Sequence, residues 1–199
     1  MIEKIQDHHP CPYLWFDGQI IHESEVVLSP FTHSLHYSST GLKTKVSNIL
    51  RLDPRSSQLT MKMSGQYTNI ICAKKEVAKQ GFDEAILLTT KNTIAEASGA
   101  NMFIVRKKIV YTPAADGYIF PGITRNVVIN LLRKKNVPVI EADANLSLLD
   151  DADEAFCTGT ALGVVPIRQN DNRVLFKNHP GEISLMVMNA YAEYIESFI

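Results

Sequence analysis

Apolar positions in this chain fall into two kinds of run. Short runs bounded by turn residues read as strands, and longer stretches with apolar residues three or four apart read as helices. Residues 13–22, Tyr-Leu-Trp-Phe-Asp-Gly-Gln-Ile-Ile-His, predict a hairpin, because Asp17-Gly18 between apolar runs is a strong turn signal. Val26, Val27 and Leu28 predict a short strand stopped at Pro30. A strand over 45–50 and a loop over 52–58, containing Pro54, lead to a helix over about 66–80. That helix has Ile70, Ile71, Lys74, Val77 and Ala78 at helical spacing and Gly81 as its C-cap. The unbroken run Ala-Ile-Leu-Leu-Thr-Thr at 85–90 predicts a strand buried on both faces.

Further along, 93–97 brings the chain back after a turn at Lys91-Asn92, and 101–106 with 108–112 forms a hairpin. An amphipathic helix is predicted over 124–135, with Val127, Val128, Leu131 and Leu132 on one face. A strand over 137–141, a short helix over 146–152 and a strand over 154–158 follow. Strands over 164–168 and 173–176 pair around Asn170-Asp171-Asn172, and a last helix covers about 182–197. No internal repeat, low-complexity run or linker interrupts the series.

Composition changes this picture little. The chain has 199 residues, 45% hydrophobic and 21% charged, which suits one sizeable domain with at most a small appendage. A formal net charge of -1 favours neither nucleic acid nor an anionic membrane as partner. Cys11, Cys72 and Cys157 are odd in number and far apart, which argues for a reducing compartment. The first residues lack the apolar core of a signal peptide, and no apolar run is long enough to span a bilayer. The expectation is a cytoplasmic protein. His8, His9, Cys11, His33 and His36 match no closed zinc set, so no metal is expected.

The chemistry lies in three pieces. Lys62 precedes a small-residue turn, Ser64-Gly65, and Tyr67 follows at a helix start. Glu96 lies on a later strand, in Glu96-Ala97-Ser98-Gly99-Ala100-Asn101. Phe120-Pro121-Gly122-Ile123-Thr124-Arg125 is a tight turn opening a helix. A lysine amine can form a Schiff base with an aldehyde, and a carboxylate can keep a pyridine nitrogen protonated so that the ring draws electrons. Free N–H groups at a helix start suit a phosphate. Singly, each piece has a plainer reading: a solvated lysine, a strand-end carboxylate, a turn with Thr124 as N-cap. The order and identity of all three together change that balance.

Together they resemble the branched-chain and D-amino-acid aminotransferases, the fold type IV pyridoxal phosphate enzymes. The matching motifs are Glu96, Ser98, Asn101-Met102-Phe103, Val110-Tyr111-Thr112, the turn at 120–125, and Ala152-Asp153-Glu154-Ala155-Phe156-Cys157-Thr158-Gly159-Thr160-Ala161. The resemblance runs from about Gly41 to the C-terminus. It implies an α+β (mixed α/β) fold, the large cofactor domain over 41–199, with 1–40 a remnant of the small N-terminal domain. It also implies transamination of leucine, isoleucine and valine with 2-oxoglutarate, using pyridoxal 5'-phosphate held on Lys62 as a Schiff base. Lys62 would then shuttle a proton, work that needs a pKa lowered by burial or a neighbouring charge.

By the same match, Tyr67 would bond the ring oxygen, Glu96 the pyridine nitrogen, and Phe120 would stack beneath the ring, where the family usually has leucine. Gly122, Ile123 and Thr124 would cup the phosphate, with Thr160 a second donor. Tyr37, Thr160 and Ala161 would face the substrate, Tyr37 because Thr32-His33-Ser34-Leu35-His36-Tyr37 is similar to a pocket-lining family segment. The family forms homodimers or higher assemblies, and one is expected here.

The resemblance breaks between Tyr37 and Val46, where the stretch that completes the small domain and carries the phosphate-binding arginine has no counterpart. Arg51 and Arg55 lie in a different motif context and take no role. Loss of a charge-assisted phosphate contact would cost roughly 1.5–3 kcal/mol, about tenfold to hundredfold in affinity. The alternatives are a catalytically impaired or non-catalytic remnant that keeps the fold, a D-amino-acid aminotransferase or aminodeoxychorismate lyase relative, and a binding module with no positive motif.

Overall fold

The structure, a computed structural model, describes residues 13–16, 19–22, 41–177 and 180–198. The chain divides into two compact units, Met1–Thr32 and His33–Ile199. In the first, β1 (Tyr13–Phe16) and β2 (Gln19–His22) pair antiparallel with Phe16 opposite Gln19, as a short hairpin requires. The expected strand at Val26–Leu28 and Tyr37 lie outside the described residues.

The second unit is built on one sheet. Its strands are β3 (Leu42–Val46), β4 (Glu84–Leu88), β5 (Thr93–Ala97), β6 (Asn101–Arg106), β7 (Ile109–Thr112), β8 (Val139–Glu141), β9 (Ala144–Asn145), β10 (Glu154–Gly159), β11 (Gly163–Asn170) and β12 (Arg173–Val174). They lie in the order β8-β7-β6-β10-β11-β3-β4-β5-β9, with β12 paired to β11. The two end strands, β8 and β9, are separated in sequence only by Ala142 and Asp143, so the sheet must curl to bring its ends together. Pairing is antiparallel except at β7–β8, β11–β3 and β3–β4. The helices are α1 (Tyr67–Ala78), α2 (Ile123–Lys134), α3 (Leu146–Asp150) and α4 (Glu182–Glu196).

Side-chain alternation explains why the central strands read as continuous apolar runs. In β6, Met102 and Ile104 enter one core with Ile86, Ile94 and Ala155, while Phe103 and Val105 enter a second core against α2 and α4. In β4, Ala85 and Leu87 face Ala73 and Val77 of α1. Phe103 and Phe156 stack across β6 and β10 with centroids 4.9 Å apart.

Most predicted elements stand within two residues of their expected bounds; three details differ. The strand expected over 45–50 is displaced to Leu42–Val46. The chain leaves the sheet at Ser47 because the side chains of Ser47 and Asn48 both bond to Glu76 on α1. Two-residue β9 has no periodic signal to read. The N-cap of α2 is Gly122, so Thr124 lies within its first turn rather than capping it.

Candidate functional site

Lys62 rides on the loop between β3 and α1. Gln66, buried in the 3-10 turn that follows, pins that loop by donating from Nε2 to the carbonyl of Gln58 at 2.9 Å. Tyr67 opens α1 with its side chain half out in solvent, and Asn69 Nδ2 ties α1 to the carbonyl of Leu50 at 2.8 Å. Lys62 itself is exposed, with Nζ 5.7 Å from the centroid of the Phe120 ring. The burial expected around Lys62 is not found: the whole 61–65 turn is exposed.

Glu96 is the fourth residue of β5, whose five residues are all buried. Its Oε1 lies 2.8 Å from Arg51 Nε, and both side chains are almost wholly excluded from solvent, at 2% for Arg51 and 7% for Glu96. The N–H does not point along that contact, which makes it a charge contact rather than an aligned hydrogen bond. Glu96 Oε2 accepts the Phe120 N–H at 3.1 Å and Asn101 Nδ2 at 3.1 Å. Burial pushes the Glu96 carboxyl up to about 7, while the Arg51 charge and the Phe120 N–H pull it down. Behind this strand, Glu84 Oε1 accepts the Ser98 N–H and hydroxyl, and its Oε2 pairs with Lys74 on α1 at 2.7 Å. That buried carboxylate fixes the turn at 97–100.

Asn101 also fixes the third piece. Its Nδ2 donates to the Phe120 carbonyl at 2.8 Å. A Cβ on Gly122 would overlap the Asn101 side-chain oxygen, so the turn closes this tightly only with glycine. No side chain at the Gly122 N-cap bonds to the first-turn N–H groups of α2. The other long helix on this side, α4, differs: Glu154 accepts from Ile183 N and Ser184 N.

These parts converge on one cavity of about 290 Å³, lined by Arg51, Lys62, Gln66, Tyr67, Ile70, residues 96–101, Phe120, Gly122, Ile123, Thr124 and residues 158–160. Lys62, Tyr67, Glu96, Phe120, Gly122, Ile123, Thr124 and Thr160 are thus brought together. Ala161 is exposed and not on the wall, so the structure does not place it with the others. Sequence reasoning passed over Arg51, Asn101, Gln66 and Thr158. Arg51 Nη1 and Thr158 Oγ1 are buried without a partner among the described residues, which suits a polar ligand. A larger, shallow cavity of about 540 Å³ lies on α2 and α4 beside Leu131, Arg133 and Tyr194, but holds none of these groups. Among the described residues, no three His, Cys, Asp or Glu gather as metal ligands, and no helix is long and apolar enough to cross a membrane.

A model of the amino-transferase class IV family matches residues 18–170. The chain is 41% identical over 155 residues to a probable branched-chain-amino-acid aminotransferase of Aquifex aeolicus, covering 77% of this chain and 50% of that protein. Among solved structures it is similar to a branched-chain aminotransferase of Thermoproteus uzoniensis with norvaline (TM-score 0.76, 34% identity, 79% of this chain and 52% of the other). It is also similar to a branched-chain amino acid aminotransferase of Thermobaculum terrenum in its PLP-form, the holo-form (TM-score 0.76, 30% identity, 80% and 52%). The chain spans about half the length of the relatives it matches.

Proposed function

The chain belongs to the amino-transferase class IV family, and from that premise we propose that it binds pyridoxal 5'-phosphate and transfers amino groups between branched-chain amino acids and 2-oxoglutarate. The division into a small-domain remnant over 1–40 and a cofactor domain over 41–199 is part of this reading. The observation that carries it is the convergence of Lys62, Glu96 and the open start of α2 on one cavity.

The residues fit the group. A carboxylate has about four acceptor sites. Glu96 uses two, both on Oε2, for Asn101 and Phe120, and Oε1 beside the Arg51 charge keeps acceptor capacity for a ring N–H. The first-turn N–H groups at Ile123 and Thr124, with the Thr124 and Thr160 hydroxyls, would hold the phosphate. Tyr67 would donate to the ring oxygen, and Phe120 would flank the ring. When bound, the cofactor supplies an aldehyde and a ring that stabilises negative charge at the substrate Cα.

Lys62 Nζ is the group that would hold that aldehyde carbon, with loss of water, and, once the substrate amine has taken its place, would accept the proton from the substrate Cα. Its cationic form rests on the Phe120 face. Glu96, held on both oxygens, cannot swing away from its place in the wall. The aliphatic substrate class draws on the relatives, one of which is described with norvaline.

The test is an absorbance spectrum with added pyridoxal phosphate, for wild type and Lys62→Ala, followed by leucine. A visible band absent from the variant and bleached by leucine is expected. A band indifferent to every amino acid would indicate a protein that holds the cofactor without transamination. No band from folded protein would overturn the reading.

A further inference from the structure

Arg51 is a fully buried charge, and a buried guanidinium costs several kcal/mol unless compensated, on the order of magnitude known for ions taken out of water. The fold nevertheless holds it in place. Its backbone N–H donates to Leu88 O at 2.8 Å, which fixes the residue at the end of β4. Two residues on, Asp53 accepts from Thr90 Oγ1 at 3.2 Å, and Thr90 bonds to the Tyr118 hydroxyl at 2.9 Å. The loop is thereby tied both to the β4–β5 turn and to the segment leading into Phe120.

From this base the side chain turns inward to Glu96 Oε1, while Asn101 and Phe120 hold Oε2. The carboxylate therefore has a cation on one oxygen and two N–H donors on the other. This pattern favours the ionised form and fixes its direction.

We propose that Arg51 is a positioning residue that acts through Glu96: it fixes the Glu96 carboxyl in the cavity wall and favours its ionised form against the burial that opposes it, so that the nitrogen of a heteroaromatic ring bound there can be kept protonated. The identity of that ring rests on the pyridoxal phosphate reading; the Arg51–Glu96 relation does not.

The ionisable groups that share the cavity with Glu96 are Arg51, Lys62 and Tyr67. On β4, which pairs with β5, Glu84 is taken up by Lys74; on α2, Arg125 is taken up by Glu141 at 3.0 Å. Arg51 is thus the one cation of this set in contact with Glu96. Without it, burial would keep Glu96 protonated well above neutral pH. A neutral Glu96 would leave the ring nitrogen unprotonated.

The test is a pH titration of carboxyl-13C-glutamate protein by NMR, without cofactor, with Glu96→Gln assigning the Glu96 signal. Arg51→Met is expected to raise the Glu96 midpoint by about one pH unit or more, the size an adjacent opposite charge produces. Arg51→Lys, which keeps the charge, is expected to restore at least half of that shift. An unmoved midpoint in folded Arg51→Met overturns the proposal. If Arg51→Met does not fold, Arg51→Lys decides: a midpoint within about half a unit of wild type supports it, and one displaced upward by about a full unit overturns it. The cofactor reading fails separately, if pyridoxal phosphate gives wild type no visible band while the titration behaves as expected.

Discussion

At the scale of single residues the site is governed by where charge is buried. Glu96 has its carboxyl raised from 4.5 to about 7, chiefly by burial. The folded chain therefore keeps a proton that the unfolded chain releases. Glu96's contribution to stability is full below about pH 4.5 and is lost as pH rises through about 7. In the absence of cofactor, wild type should lose stability against Glu96→Gln between those values, by up to about 1.4 kcal/mol per pH unit. Urea unfolding of both proteins at pH 5, 6, 7 and 8 measures this, and parallel stability profiles would refute it. Much of the site was legible from motif order, since Lys62, Glu96 and the Pro-Gly turn each carry a recognisable chemical need. Arg51 was not. It and Arg55 lie four positions apart in one polar loop, yet one side chain is 2% exposed and the other 88%. That difference comes from a partner 45 positions away, and no local pattern encodes it.

Among the elements, the contrast between two helix starts matters most. Glu154, on β10, supplies the cap of α4, satisfying two N–H groups and placing negative charge at the positive end of the helix dipole. Glu154→Ala should cost about 1–2 kcal/mol in thermal or chemical unfolding. Cofactor affinity should change little, because Glu154 is not on the cavity wall. The start of α2 has only Gly122 at its cap. Gly122→Ala should force Asn101 aside, costing about 1–3 kcal/mol and weakening cofactor binding at least about tenfold, since Asn101 also holds Glu96. Gly65→Ala, where an added Cβ meets nothing within 4 Å, is the control, expected within about 0.5 kcal/mol of wild type. Equal effects at the two glycines, read by unfolding and by titration with pyridoxal phosphate, would show that the Gly122 contact is not what holds the turn. Helix bounds were legible because amphipathic spacing marks them, but the cap expected at Gly81 is at Lys79, two residues earlier. The displaced β3 was not, because the bonds that end it come from Glu76, some thirty positions on.

For the molecule as a whole, the strands could be read from apolar runs but their order could not. The joins of β11 to β3 and β3 to β4 are parallel pairings between distant segments, and curling of the sheet depends on the two-residue β9. What can be read at this scale is what the sheet leaves exposed. Met61, Met63, Tyr67 and Ile123 are all more than 40% exposed. Tyr67 and Ile123 line the cavity and the two methionines neighbour Lys62, itself on the wall, so these four exposed side chains make an apolar rim beside the cavity. On α4, Leu185, Ile195 and, just beyond, Phe198 are also exposed. Apolar surface gathered in this way favours association, since each buried Å² returns about 25 cal/mol. The expected state is therefore a homodimer or higher assembly at micromolar concentration. Sedimentation velocity across a tenfold dilution checks it, and Met61→Glu with Met63→Glu should shift the distribution toward monomer if the rim is the contact. A monodisperse monomer throughout would mean that the rim is not an interface between copies. An assembly indifferent to both substitutions would move the contact to α4, where Leu185→Glu and Phe198→Glu should then dissociate it.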